Sequence, residues 1–291
     1  MAVTTAQAVS VAPIAPAAAA RVGEFLHANL NSRLTAPQWA RALDLPWVVE
    51  RPNAGFMLLD GDVIVGVQLA FYSERTIEGR PESFCNLGAW SVLPEYRVHS
   101  LRLLKAVLDQ EGYHFTDLSP SGNVIGVNSR LQFRFLDTTT SLVPNFAWPT
   151  LPGRHVISSD PALIERTLTG RDLQLYRDHV GAAAARHLVL IGDNESSYVV
   201  FRKDRRRRLP LFVSVLYVSN AELFLRMLRP FCRHMLFHHG AAATLAEHRI
   251  VGHRPRFGVT LPSPRRKMFR STYLDEAHID DLYSELVCVP W

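Results

Sequence analysis

Apolar positions change period along this chain, and each change marks an element. Residues 9–14 form a short apolar run before Pro16, expected as an edge strand. Val22, Phe25, Leu26 and Leu30 then recur at the spacing of one helical face, so residues 17–30 are expected as a helix. Thr35 is placed to cap a second, shorter helix through Trp39, Leu43 and Leu45. Two β-rich runs flank Asp60-Gly61-Asp62, a strong hairpin signal. Residues 83–92 are expected as a strand ended by Pro94, and 100–108 as a helix with its stripe on Leu101, Leu104 and Leu108, broadened by Leu103 and Val107. Residues 113–118 follow as a strand, 123–131 as a helix and 133–142 as a closing strand.

Residues 144–153 are rich in proline and aromatics and lack a period, so the domain boundary is placed there. The order then restarts: a short strand at Val156-Ile157, helices over 161–168 and 172–185, and strands over 187–191, 198–203 and 211–218. Ser219-Asn220 cap a further helix through Phe231, and 244–251 and 267–272 are expected to supply a final helix and strand. A repeat near half the chain length implies duplicated domains, residues 1–146 and 154–291, each of mixed α/β (α+β) class.

Composition adds a few constraints. The 291 residues are 47% hydrophobic and 20% charged, enough for two cores without disulfides. The opening twenty residues lack a basic segment, so a secretory leader is not expected, and no run approaches the roughly 20 apolar residues of a membrane helix. Cys85, Cys232 and Cys288 are few, odd in number and widely spaced, which suits a reducing cytoplasm and argues against a metal site. His234, His238 and His239 lack the carboxylate or thiolate company of a metal centre. Much of the +5 net charge sits in the run 202–208, a solvated hairpin tip or a contact for an anionic partner; without interleaved aromatics, nucleic acid is a distant reading.

Residues 89–108 are the most informative stretch: a buried-looking strand, a loop opening at Pro94, then an amphipathic helix. Such a turn aims backbone N–H groups and the positive end of a helix at one point, a place suited to pyrophosphate, with Arg97 and Arg102 on either side. An ordinary strand–turn–helix connection is the alternative.

The strand, the Pro-Glu-Tyr-Arg loop and the leucine-rich helix resemble the pyrophosphate motif of the GNAT superfamily of acyl-CoA N-acyltransferases, at motif level over 92–104 and in element order over 9–142. The resemblance implies two tandem GNAT-like domains, each a twisted, mostly antiparallel sheet flanked by helices, with a degenerate second copy. It implies that Val92, Arg97, Val98, His99, Ser100, Leu101 and Arg102 hold the cofactor, acetyl-CoA or another acyl-CoA. The family's two small loop residues are here Ser100 and Arg102; the latter either crowds the pyrophosphate or swings out. An Asn on the fourth helix, Asn123 or Asn128, would meet the pantetheine amides or cap the helix, and Arg130 stands where the family often has a Tyr acid.

The implied reaction is attack of an amine on a thioester, with a backbone N–H near Val92 as oxyanion donor. Glu82 and Glu95 are the candidate bases, and Cys85 is a candidate nucleophile or a small buried apolar residue. The expected acceptor is a small-molecule amine, with an acyl-carrier protein as a further partner. A GNAT-like module that senses CoA or a partner protein without turnover is the rival expectation.

Overall fold

The computed structural model of the chain describes residues 9–149, 155–192, 194–206 and 209–290. The first half runs β1 (Ser10–Pro13), α1 (Ala19–Asn29), α2 (Ala36–Ala42), β2 (Gly55–Asp60), β3 (Val63–Ile77) and β4 (Arg80–Val92). A 3-10 turn at Pro94–His99 leads into α3 (Ser100–Leu108), then β5 (His114–Asp117), α4 (Gly122–Arg130), β6 (Arg134–Phe135) and β7 (Thr140–Pro144). The second half runs β8 (Val156–Ser158), α5 (Pro161–Thr167), α6 (Gly170–His179), β9 (Arg186–Ile191), β10 (Ser196–Arg206) and β11 (Leu209–Val218). Then come α7 (Ala221–Arg226), α8 (Leu228–His239), β12 (Ala243–Glu247), α9 (His248–Val251), β13 (Val259–Leu261), β14 (Met268–Arg270) and α10 (Glu285–Cys288).

Local chemistry accounts for several of these elements. Thr35 closes a capping box with Gln38 at the start of α2. Asp60 pairs with Val63 across Gly61-Asp62, and Gly61 takes the positive φ that the tight turn needs. A second hairpin, at Glu78-Gly79, makes β3 and β4 much longer than the expected 83–92 strand. Its charged residues hide it from an apolar pattern; Arg75 is buried only because Asp280 and the Leu282 carbonyl receive its guanidinium.

Among the described residues the strands form two seven-stranded sheets, in the orders β1-β2-β3-β4-β5-β14-β6 and β13-β7-β12-β11-β10-β9-β8. Each is antiparallel except for one central parallel pair, β4 with β5 and β11 with β12. Read from β1 in one sheet and β8 in the other, the two have the same order and polarity, so the mixed α/β class and the duplication hold.

The expected division into residues 1–146 and 154–291 does not follow the sheets. β14, from the second half, lies between β5 and β6, while β7, from the first half, lies between β12 and β13. The two repeats exchange their closing strands. The expected closing strand over 133–142 is accordingly broken: Gln132 has positive φ, and the Leu136 N–H bonds to the Lys267 carbonyl, where the incoming segment takes over. Residues 244–251, expected as a helix, form strand β12 up to Glu247, because β11 and β7 pair with it on both sides.

The largest core cluster runs across both repeats, from Trp39, Phe71 and Phe84 to Tyr176, Tyr198 and the C-terminal Leu282 and Val287. His179 lies in it against Trp47 and Tyr283, with ring centroids at 5.5 and 4.4 Å. Its Nδ1–H donates to the Leu175 carbonyl and its Nε2 accepts from the Tyr283 N–H, which fixes a neutral ring; burial holds its pKa below the usual value.

Where the strands cross over, four charges are buried together. Lys267 pairs with Glu247 at 2.6 Å and with Asp281, and Arg249 pairs with the same two carboxylates. Burial pushes the Asp281 pKa up, but Lys267 and Arg249 more than offset it and hold the carboxyl below its usual range. The network ties the end of β12, α9, the approach to β14 and the C-terminal segment into one unit.

Candidate functional site

β4 and β5 pair only from Phe84 to Asn86, against His114 to Thr116, and beyond that they separate. In the β3–β4 register Gln68 faces Trp90 and Leu69 faces Gly88, so Ala89 is an extra residue, and its φ of 40° is unusual for a side chain. A bulge thus turns the backbone of β4 just where its neighbour has left. A cavity of about 400 Å³ opens there. Its walls come from the end of α1 (Leu30 and Asn31), from β3 (Gln68), from Leu87 to Trp90 of β4, from Leu104 of α3, and from Asp117, Ser119 and Asn128.

Among the described residues, three buried polar atoms on these walls have no partner: Gln68 Oε1, Trp90 Nε1 and Asn128 Oδ1. The amide orientations are fixed from behind. Gln68 Nε2 donates to the Gly88 carbonyl at 2.8 Å, and Asn128 Nδ2 donates to Asp117 Oδ2 at 2.7 Å. One donor and two acceptors are therefore held ready for a ligand with amide groups, since an unpaired buried polar group costs about 1–3 kcal/mol.

Asp117 ends β5 and is 6% exposed. Burial pushes its carboxyl up to about 7, against the pull of Asn128 and the Ser119 N–H. Behind it, α10 closes the gap between the separated strands. The Glu285 N–H donates to Asn86 Oδ1, and Ser119 Oγ donates to Glu285 Oε1 at 2.6 Å. Glu285 is fully buried; desolvation lifts its carboxyl to about 8, Ser119 pulls the other way, and Asp117 adds to the rise. Sequence reasoning missed both acids. Asp117 is one polar residue at the end of an apolar run, and Glu285 reaches the site only through the C-terminal fold-back.

Among the residues expected at the site, Asn128 is in the cavity wall and fully buried. Val92 ends β4 opposite Gly66, two residues beyond Trp90. Arg97, Val98, His99, Ser100 and Leu101 lie at the start of α3, with Val98 84% and Leu101 55% exposed. The loop is wound more tightly than expected: the Ser100 N–H bonds to the Arg97 carbonyl, and Tyr96 Oη donates to Asp60 at 2.6 Å. Arg102 is swung away, donating to the Val9 carbonyl at 2.8 Å. It does not crowd the turn, and it is not poised over a pyrophosphate.

The expected catalytic pair is not brought to the cavity. Glu82 lies seven positions before Ala89, roughly 23 Å along the strand. Hydrogen bonds from Tyr273 and His114 hold its pKa below the usual value, the wrong direction for a base near neutrality. Cys85 is fully buried beside Tyr72, and desolvation raises its thiol far above neutrality, so it packs and does not attack. Glu95 is exposed on the 3-10 turn. The side chains of Arg205 to Arg208 lie outside the described residues. Among the described residues no group of His, Cys, Asp or Glu is arranged to hold a metal, and no helix is long and apolar enough to cross a membrane.

No protein-family model matches the chain. No curated protein matches it by sequence. Solved structures do match, over almost its whole length. A candidate acetyltransferase from Pyrococcus horikoshii aligns with a TM-score of 0.55 at 12% identity, covering 95% of this chain and 93% of the other. A GCN5-related N-acetyltransferase from Kribbella flavida gives 0.55 at 16% identity over 92% of this chain and 72% of its own. The N-myristoyltransferase of Saccharomyces cerevisiae, solved with myristoyl-CoA, gives 0.50 at 9% identity over 97% and 84%. With the separated central strands, the bulged β4 and the helix that follows it, these likenesses show that the chain carries the GNAT fold, present as two interleaved copies in tandem.

Proposed function

We propose that the chain is an acyltransferase that moves an acetyl or longer acyl group from acyl-CoA to an amine, and that the first repeat does the chemistry. The observation that carries this reading is the cavity between β4 and β5, where unpaired Gln68 Oε1, Asn128 Oδ1 and Trp90 Nε1 surround a bulged backbone. Pantetheine offers two amides, whose N–H groups suit the two acceptors and whose carbonyls suit the indole. The pyrophosphate falls to Arg97 and the first turn of α3, because Arg102 is engaged elsewhere.

The amine nitrogen attacks the thioester carbonyl, a C–N bond forms, and the C–S bond breaks to release the thiolate. A backbone N–H at the Ala89 bulge stabilises the oxyanion. Asp117, with a carboxyl that titrates near neutrality, takes the ammonium proton. Ser119 and Glu285 are positioning residues, closing the space behind it. Arg130 is exposed on α4, so no side chain there replaces the family's Tyr, and the thiolate takes its proton from solvent. An acyl-carrier protein remains a candidate donor or partner.

The test is release of free thiol from acetyl-CoA and longer acyl-CoAs in the presence of a panel of primary amines, with product identified by mass. Turnover that Asp117→Asn lowers by roughly 10²–10⁴-fold supports the assignment of a general base. CoA binding without turnover on any amine, unchanged in Asp117→Asn, would instead favour the sensing module.

A further inference from the structure

The second repeat repeats the geometry of the first at its central strands. β11 pairs with β12 only through Ser214, Leu216 is an extra residue in the β10–β11 register, and the strand then runs into α7 and α8. The place that the 94–102 segment occupies in the first repeat belongs here to the α7–α8 junction. Between that junction and residues 253–257 lies a cavity of about 660 Å³.

Four arginines converge on it: Arg226, Arg229, Arg254 and Arg256. Arg226 pairs with Glu195 and stands 4.0 Å from Glu222. The Arg229 guanidinium lies 5.1 Å from the Trp148 ring centre and 5.8 Å from that of Phe257. Among the described residues neither Arg229 nor Arg254 nor Arg256 has a carboxylate partner, whereas Arg75, Arg249 and Arg265 all do. Glu222 also lies on the wall, so four arginines face one carboxylate, and the excess positive charge focuses its field on the cleft. The twelve-residue α8 begins on the same wall, through Leu228 and Arg229, and adds the positive end of its dipole.

We propose that this cleft is a second ligand site, taking a small molecule with two or more phosphate groups. Forked guanidinium donors match phosphate oxygens in pairs, and three of them can be satisfied at once by a diphosphate but not by a single carboxylate. A nucleoside diphosphate and the phosphorylated end of a CoA share this chemistry.

The experiment is calorimetric titration of the full chain with pyrophosphate, ADP and CoA, at low and at high salt, beside the Arg254→Gln/Arg256→Gln double variant. Both arginines are exposed, so the variant should keep its melting temperature. ADP affinity is expected to fall at least thirtyfold in the double variant, to weaken with salt, and to be largely kept by Arg254→Lys/Arg256→Lys. Any Asp117-dependent acyl transfer should be unchanged, which separates failure here from failure at the first repeat. ADP binding no tighter than pyrophosphate marks a simple diphosphate site, tighter ADP a nucleotide, and a second, tighter CoA a CoA end. ADP and pyrophosphate that do not bind, or that bind the double variant within threefold of the parent, overturn the proposal. So does binding of duplex nucleic acid or anionic vesicles that the variant loses while ADP never binds.

Discussion

Replacing Lys267 with Met removes one charge from the buried four-residue network and leaves the rest of the side chain's volume in place. Lys267 is 5% exposed, and its two partners, Glu247 and Asp281, are 7% and 1% exposed. In the variant both carboxylates depend on Arg249 alone. Breaking a buried ion pair from one side costs about 3–5 kcal/mol, most of it the desolvation of the charge left behind. The repeats share a core and exchange strands, so they should unfold as one unit. At about 2.1 cal/mol/K per residue, unfolding the whole chain carries roughly 0.6 kcal/mol/K, and the loss converts to a fall of about 5–8 °C in a single transition. The pH dependence supplies a second check. The Asp281 carboxyl is held below its unfolded value, so its contribution is present above the ordinary carboxylate range and is lost as pH falls through the lowered folded value. Without Lys267 the carboxyl accepts a proton more readily, and the deficit against the parent should shrink between pH 7 and pH 5. Scanning calorimetry at the two pH values measures both effects. A shift below 2 °C at pH 7, or one that is the same at pH 5, refutes the idea that this network holds the crossover together.

Three further outcomes are expected. The rate of acyl transfer under subsaturating amine should rise with pH through about 7, the value to which burial lifts Asp117, and a flat profile in Asp117→Asn would assign that limb. The same shift makes folding less favourable as pH rises, because the contribution of the raised carboxyl is present below its unfolded pKa and lost through about 7; Asp117→Asn should therefore reduce the slope of stability over pH 4–7 in denaturant titrations, leaving the part that Glu285 contributes. Cys85→Ala should leave turnover within a few-fold of the parent, and a loss of a thousandfold would return the thiol to the mechanism. Gly88→Ala should destabilise by about 1–3 kcal/mol, since a Cβ there would stand 2.7 Å from the Phe71 ring and 3.2 Å from Glu285 Cβ; an unchanged melting temperature would mean that α10 does not pack on β4 as described.

Much of the first repeat was legible in the sequence, because its signals are local. The Thr35 cap, the Gly61 turn, the strand into Pro94 and the existence of α3 each depend on residues within a few positions of one another, although the buried face of α3 is Leu103, Leu104 and Val107, with Leu101 exposed. What escaped depends on distant partners. Residues 243–247 have the Ala, Leu and Glu of a helix, yet become a strand because β7 and β11 flank them. The exchange of β7 and β14 leaves no trace in either strand's own pattern. The site divides in the same way. Asn128 could be placed from a motif, whereas the roles of Asp117 and Glu285 come from burial, which no spacing encodes. Glu82 misled because its strand position was right and its distance along the strand was not.

The crossed strands also set a timetable for biosynthesis. Among the described residues β6 pairs only with β14, and about 130 residues separate them in the chain. At about 5–20 residues per second, the ribosome delivers β14 roughly 7–27 s after β6 has emerged. Until then β5 presents an unpaired edge, and β6 has no neighbour to bond with. The nascent first repeat is thus exposed to pairing with another chain for much longer than its own length would require. A gene cut between the repeats would make that exposure permanent on both sides, each product lacking the one strand that its sheet borrows.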